Sequence, residues 1–316
     1  MSARPEISVV IPTRGRPGPL AVAVRSALVQ TGAPAFEIVV VDNDVSPSAK
    51  AAVETLSVET LAGGPVEVRY VHEARPGVAH ARNTGMATAR GDRIAFLDDD
   101  EEAPAGWLAE LARVADQTGA DVTFGPVRGR APESVGRHRA YLETFFSRSG
   151  PDVSGPIETY YGCGNSLIRR AALPHPTEPF DPIRNLIGGE DDLLFGRMQA
   201  AGARFAWAAE AWVHEDPVPA RLNLTYTLRR AFAYGQGPSS HCAAKSPPDW
   251  PGVAGWMAVG LVQAAIHGPV GLIKYAVGAP GAADSLDRAA RGLGKTFWGG
   301  PMKIAFYGPR SGSYAR

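Results

Sequence analysis

Arg93-Ile94-Ala95-Phe96-Leu97-Asp98-Asp99-Asp100 runs a short strand-like segment directly into three consecutive acids. Three carboxylates after a buried strand repel one another unless a cation lies among them. Asp98 and Asp100 are separated by one residue and suit a shared metal-diphosphate site. Their hard oxygen ligands favour Mg or Mn over zinc. The competing reading is a polar turn that caps the helix beginning near Ala105.

The same punctuation occurs twice upstream. The apolar run Ile7–Ile11 ends at Pro12-Thr13-Arg14, and Glu37–Val41 ends at Asp42-Asn43-Asp44. Helical patterns over Pro19–Gln30, Ser48–Leu56, Gly77–Ala89 and Ala105–Gln117 alternate with strand-like segments at Val66–Val71 and Asp121–Phe124. This rhythm predicts an α/β fold with a mostly parallel sheet covered by helices on both faces. Ligands in such sheets bind beyond the carboxyl ends of the strands, where the three polar clusters converge.

Asp42 is placed to accept a hydrogen bond from a base N–H or a ribose hydroxyl; Asp44 and Ser46 also suit helix capping. The segment Arg75-Pro76-Gly77-Val78-Ala79-His80-Ala81-Arg82-Asn83-Thr84-Gly85 opens a helix with arginines nearby, which fits a phosphate or nucleotide. Alternatively Arg82 and Asn83 bond loop carbonyls beneath the site. Gly188-Gly189-Glu190-Asp191-Asp192 starts another helix. Its acids suit the positive end of the helix dipole, and one of them could deprotonate an acceptor hydroxyl. The two glycines allow close approach of a substrate.

Residues 127–160 are irregular and read as an excursion shaping a substrate cleft. Regular structure returns at Gly162–Arg169, Glu190–Ala201, Arg204–Trp207, Ala211–Val213 and Ala220–Tyr234. Four prolines and three glycines in Gly235–Gly252 predict a loop or linker. Residues 253–279 are almost wholly apolar. At ~1.5 Å per helical residue they could cross a hydrocarbon core of ~30 Å. Gln263, His267, Pro269 and Lys274 interrupt them, so spanning, in-plane membrane contact, and packing or oligomer contact all stay open. Ser285–Phe297 is a second amphipathic stretch.

The chain of 316 residues is 45% hydrophobic and 20% charged, which is globular composition. Cys163 and Cys242 are too few for a disulfide framework and imply a reducing compartment. The N-terminus lacks a signal-peptide pattern, so a catalytic body is expected to face the cytoplasm. A formal net charge of zero argues against a polycationic nucleic-acid binder. That zero combines −8 over residues 1–216 with +8 over residues 217–316. Arg288, Arg291, Lys295 and Lys303 lie beside the apolar stretch. They predict attraction to anionic lipid headgroups or to a lipid-linked diphosphate acceptor, with a solvated packed tail as the alternative.

Taken in order, Ser8-Val-Val-Ile-Pro12-Thr13, Val41-Asp-Asn-Asp44, Ala81-Arg-Asn-Thr-Gly85, Phe96-Leu-Asp-Asp-Asp100 and Gly189-Glu-Asp191 resemble family-2 glycosyltransferases of the GT-A fold. The resemblance covers residues 6–235. It implies a glycosyltransferase domain over 1–235, with a nucleotide-binding half (1–126) and an acceptor half (127–235). A linker (236–252) and an apolar, basic C-terminal helical appendage (253–316) would follow. Thr13, Arg14 and Asp42 would line the nucleoside pocket, with Pro12, Asp44, Arg75, Arg82, Asn83 and Asp99 also on the nucleotide-sugar side. Asp98 would face the ribose. Asp100, with His214, would hold Mn or Mg, and Asp191 would be the catalytic base. Gly162-Cys-Gly164-Asn165-Ser166, together with Gly189, would support donor sugar and acceptor.

The family often carries Glu-Asp-x-Asp-Leu. Here Glu190-Asp191-Asp192-Leu193 is one residue shorter, so Asp192 and Glu190 also stand as candidate bases. The Gln-x-x-Arg-Trp signature of processive synthases is absent, which implies transfer of one sugar per encounter, and the resemblance implies inversion. The expected partners are a nucleoside-diphosphate sugar and a hydroxyl acceptor such as a glycan, lipid-linked or free, in cell-surface polysaccharide or glycoconjugate assembly. Peripheral membrane contact and homo-oligomers stay open. Two other functions compete. A sugar nucleotidyltransferase would need a Gly-rich basic loop after the first strand, which Pro12-Thr13-Arg14-Gly15-Arg16 matches weakly. A non-catalytic, membrane-associated carbohydrate-binding protein would leave the acid clusters unexplained.

Overall fold

The computed structural model describes residues 4–61, 66–185 and 188–302. Lys303, counted above among the basic residues, lies outside them. The elements run β1 (Ile7–Thr13), α1 (Pro17–Leu28), β2 (Phe36–Asp42), α2 (Lys50–Leu61), β3 (Val68–His72), α3 (Val78–Thr88) and β4 (Arg93–Phe96). Then come β5 (Glu101–Glu102), α4 (Trp107–Thr118), β6 (Val122–Phe124), β7 (Val127–Gly129), α5 (Arg139–Phe145), β8 (Gly155–Ile157) and β9 (Ser166–Arg169). After these follow α6 (Glu190–Ala200), β10 (Phe205–Trp207), β11 (Val213–Glu215), α7 (Leu224–Gly235), α8 (Gly237–Ala244), α9 (Trp250–Ala276) and α10 (Ala282–Thr296).

An eight-stranded sheet in the order β3-β2-β1-β4-β9-β6-β10-β8 forms the centre. The first four strands are parallel, as the alternating pattern predicts, and so is the β6–β10 pair. β9 lies antiparallel between β4 and β6, and β8 antiparallel to β10, so the sheet is mixed. Alternation of side chains splits the core. Ile7, Val9, Ile11, Ile38, Val40 and Leu97 pack with α1 and α4 residues such as Leu20, Val24, Trp107 and Leu111. Val10, Val39, Val41, Ile94 and Phe96 face the other way, toward α3 and α6 through Met86, Leu194 and Phe195. Gly85 is required there, because a Cβ would overlap the Val10 side chain.

A smaller sheet, β5-β11-β7, determines how the acidic turn is held. β5 and β11 pair antiparallel with His214 opposite Glu102 and Glu215 opposite Glu101. The ladder continues through a 2.8 Å bond from Asp216 N to Asp100 O. Residues 211–216, more than a hundred positions downstream in sequence, are thereby fixed beside Asp98–Asp100.

The described chain forms two compact units, residues 4–128 with 147–216, and residues 129–146 with 217–302. This differs from the expected division at 235, and segment 129–146 joins the C-terminal helices rather than the sheet. The expected linker at 236–252 contains helix α8. Pro238 stands in its first turn, where a missing N–H costs no helical bond, and so does not prevent it.

Candidate active site

The β1, β2 and β4 ends bring Thr13, Asp42 and Asp98–Asp100 to one edge of the sheet. β9 runs antiparallel to β4 with Ser166 opposite Phe96, so the preceding loop 162–165 reaches the same edge. Thr13 Oγ1 donates to Asp99 Oδ2 at 2.7 Å. Arg16 spans the next two acids, with Nη2 3.0 Å from Asp99 Oδ1 and Nη1 2.8 Å from Asp100 Oδ2. Gly15, at φ 64°, turns the chain so that Arg16 faces the acids while Arg14 is exposed. The resemblance singled out Arg14; the geometry brings in Arg16, a shift that a left-handed glycine between them makes possible.

Asp98 lies with its carboxylate only partly covered. Gly164 makes room for it, since a Cβ there would sit 2.6 Å from Asp98 Oδ2 and 3.1 Å from Glu101 Oε1. Glu101 Oε2 accepts the Asp98 N–H at 2.8 Å. Desolvation, reinforced by Asp100 and Asp191 and opposed by Arg82 and Arg16, raises the Asp98 pKa. Burial likewise pushes Asp99 up to about 7 and Glu101 well above the carboxylate range. The turn therefore concentrates acidic groups whose charged forms are disfavoured in isolation.

Arg82, on α3, links this turn to α6. It is buried, ion-pairs with Glu190, lies 3.8 Å from Asp98 Oδ1, and packs over the Phe180 and Phe96 rings. Asp191, one residue on, accepts from Cys163 N at 3.1 Å through Oδ2 and from Asp192 N at 2.9 Å through Oδ1. Gly162 and Cys163 thus sit against Asp191, and Gly164 against Asp98. Gly189, at φ 79°, turns the chain into α6. Asp192 is exposed beside it.

Several expected ligands have other partners here. Asn83 bonds both the N–H and the C=O of Phe180 through its amide, at 2.9 and 2.7 Å, and so clamps a neighbouring segment. Asn165 is wholly buried, at φ 49°. It accepts from Trp107 Nε1 at 2.7 Å and donates to Pro126 O and Ala211 O at 2.7 and 2.8 Å. Its amide braces the loop instead of meeting an acceptor. Arg75 forks onto Glu73. Glu190 is held by Arg82, which removes it as a free proton acceptor. Asp42 accepts from Ala49 N at 2.7 Å, Ser48 Oγ at 3.2 Å and Tyr70 Oη at 3.0 Å, so it anchors the approach to α2. Asp44 accepts from Val45 N within its own loop, while Pro12 lies half-buried just before Thr13.

Two organising residues carried no sign of their task, Asn43 standing within the Val41–Asp44 motif without a role and Arg148 in a stretch without periodicity. Asn43 Nδ2 donates to Glu73 O and Arg75 O, and its Oδ1 accepts from Gly77 N, shaping the entry to α3. Arg148, half-buried in the irregular region, donates to the carbonyls of Gly125, Gly162, Gly164 and Asn165. It thereby fixes the loop that faces Asp98 and Asp191.

For a divalent cation, the described residues contain no group of three His, Cys, Asp or Glu side chains arranged to hold one unaided. Asp98 and Asp100 supply hard carboxylate oxygens at the turn, Asp100 paired with Arg16 and Asp98 lying 3.8 Å from Arg82. His214 Nδ1 is buried and lacks a hydrogen-bond partner among the described residues, with the ring packed edge-on against Trp212. These three side chains are not gathered into one ligand group among the described residues, so a cation here would draw most of its ligands from a diphosphate and water.

An acidic turn at the strand ends faces a carboxylate at a helix start, and comparison with known sequences gives the class and the family. A model described as Glycosyl transferase family 2 matches residues 8–175, and the chain belongs to that family. Rhizobium meliloti succinoglycan biosynthesis protein ExoM is 38% identical over 64% of this chain and 63% of its own length. A Mycobacterium tuberculosis pre-mycofactocin glycosyltransferase is 28% identical over 77% of this chain and 48% of its own. The chain thus spans about half to two thirds of these relatives. The structure of S. aureus TarS 1-349 in complex with UDP superposes with a TM-score of 0.52 at 17% identity, covering 92% of this chain and 89% of that one. That likeness establishes the GT-A fold.

Proposed function

We propose that this chain transfers one sugar from a nucleoside-diphosphate sugar to a hydroxyl acceptor, by single displacement with inversion, in polysaccharide or glycoconjugate assembly. The observation that carries the reading is that Asp98 and Asp191 both border the Gly162–Gly164 loop, from opposite elements. Thr13, Arg16 and Asp98–Asp100 take the nucleotide-diphosphate side, with the nucleoside near Asp42. Asp100, with Asp98 and His214, would hold Mn or Mg, which when bound neutralises charge on the departing diphosphate. Asp191 is the base. Its neighbour Glu190 is paired, and its own carboxylate is oriented by two backbone N–H groups, so it can receive the acceptor proton as the hydroxyl attacks. The R. meliloti relative, a succinoglycan biosynthesis protein, and the likeness to UDP-bound S. aureus TarS support the pathway and the nucleotide class.

Calorimetric titration with UDP, GDP, dTDP and CDP, each with Mn or Mg, should reveal one preferred nucleotide whose binding needs the cation. Asp191→Asn should keep that binding and lose transfer by about 10²-fold or more. Near-normal turnover in this variant would move the base elsewhere. A product retaining the donor's anomeric configuration by NMR would overturn the single displacement.

A further inference from the structure

Helix α9 is built inside out. Its covered positions include Val253, Met257, Gly260, Ala264, His267, Gly271 and Lys274, spaced alternately by four and three residues, with Gly252, Gln263 and Gly268 half-buried beside them. That is the seam of a packed helix pair, but apart from Val253 and Met257 it is small or polar. α10 fills it at close range. A Cβ on Gly292 would lie 2.6 Å from Gly260 O, and one on Gly271 would lie 2.8 Å from Leu286 Cδ2. The bulky apolar residues point the other way: Val262 is 59% exposed, Ile266 56%, Leu272 64% and Ile273 65%. A helix packed for water would show the reverse pattern. Small residues at the helix contact and bulky apolar residues outside are the arrangement of helices that face lipid.

We infer that the outward face of α9 lies in the interface of an anionic membrane, parallel to its plane. Three observations select this occupant. The exposed positions from 254 to 273 are all uncharged and apolar or glycine, and the helix is long and apolar enough to cross a bilayer, with little of its apolar stretch buried. Trp250 and Trp256 stand exposed on the first two turns of the helix, and amphipathic indole rings favour the headgroup region. Residues 217–302 carry eight Lys/Arg against three Asp and no Glu, including Arg288 against the Val259–Val262 groove, which complements an anionic surface. Crossing the bilayer is disfavoured by the neighbour. α10 packs along α9 carrying Asp284, Asp287, Arg288, Arg291 and Lys295, and these would be drawn into hydrocarbon. Lying flat immerses the apolar face and leaves α10 on the aqueous side.

The test uses the full chain and vesicles of phosphatidylglycerol and phosphatidylethanolamine, with phosphatidylcholine vesicles as control. Flotation should recover the protein with the anionic vesicles, less so at high salt, and should fall about tenfold or more for Val262→Glu/Ile266→Glu. Brominated acyl chains should quench part of the wild-type tryptophan fluorescence, a readout that needs no variant. Sedimentation velocity without lipid should show a monomer. Absence of flotation and quenching for the wild-type protein would overturn the inference. So would a lipid-free dimer that the two glutamates dissociate, which would make a second copy the occupant.

Discussion

Replacing Arg82 by methionine tests how the acidic turn and α6 are joined. The side chain is buried against Phe180 and Phe96, and its guanidinium pairs with buried Glu190. Methionine keeps the stem and the ring contacts while removing the charge. Glu190 is already raised by burial, and Arg82 is the main group opposing that shift. Without it the carboxyl must stay ionised and unpaired or take up a proton. Breaking a buried pair in this way costs ~3–5 kcal/mol. Holding a carboxyl of normal pKa near 4.3 neutral at pH 7 costs about 4 kcal/mol, an upper bound on the loss because the wild type, with Glu190 already raised, carries part of it. The sign follows. A raised folded-state pKa penalises the fold above the unfolded value, so the loss should shrink by about 1.4 kcal/mol per unit as pH falls from 7 toward 4.5. Urea unfolding followed by the fluorescence of buried Trp107 and Trp207 measures this directly. Arg82→Met/Glu190→Leu, which removes both charges, should recover to within about 1–2 kcal/mol of the wild type. A single-variant loss under about 1 kcal/mol at pH 7, or an equal loss at pH 5, would refute the view of Glu190 as a charge held by Arg82.

Other perturbations follow from the same geometry. Asn165→Ala removes bonds to Trp107, Pro126 and Ala211 and leaves buried groups unpaired. It should cost about 3 kcal/mol or more in urea unfolding, with the left-handed backbone adding strain. Gly164→Ala places a methyl carbon 2.6 Å from Asp98 Oδ2. It should lower stability by only about 1–3 kcal/mol but weaken nucleotide binding measurably in calorimetry. Glu73, held by Arg75 and Thr84, has its pKa lowered to about 2. Its stabilising contribution is present above the usual carboxylate pKa and is lost as pH falls through 4.5 toward 2, so the stability gap between wild type and Glu73→Gln should close over that window.

The three polar strand ends, two of them acidic, were legible because the signal is local: an apolar run of strand length stops at polar or charged residues, and the parallel rhythm puts every such stop on one edge. The roles of individual polar side chains were not. Asn83 finds the Phe180 backbone 97 residues away, and Asn165 finds Ala211 46 residues away. Either amide, read in its own segment, looks available to a ligand. Arg16 replaces Arg14 through one glycine's backbone angle. Arg148 stands in a stretch without periodicity, and four carbonyls that have no other sign in the sequence define its task.

By itself the amino-acid sequence determined the α/β class, the phase of the acidic turns and the apolar character of residues 253–279. These follow from period, composition and order, which are properties of a single segment. Tertiary structure decided the rest. β9 entered antiparallel and made the sheet mixed; β11 brought His214 to Glu102; Arg82 took Glu190 and left Asp191 oriented by Cys163. It also settled which side of α9 is covered. Composition states how apolar a helix is, but its neighbour chooses the contact face, and α10 reaches close packing only along the side where glycines let two backbones approach.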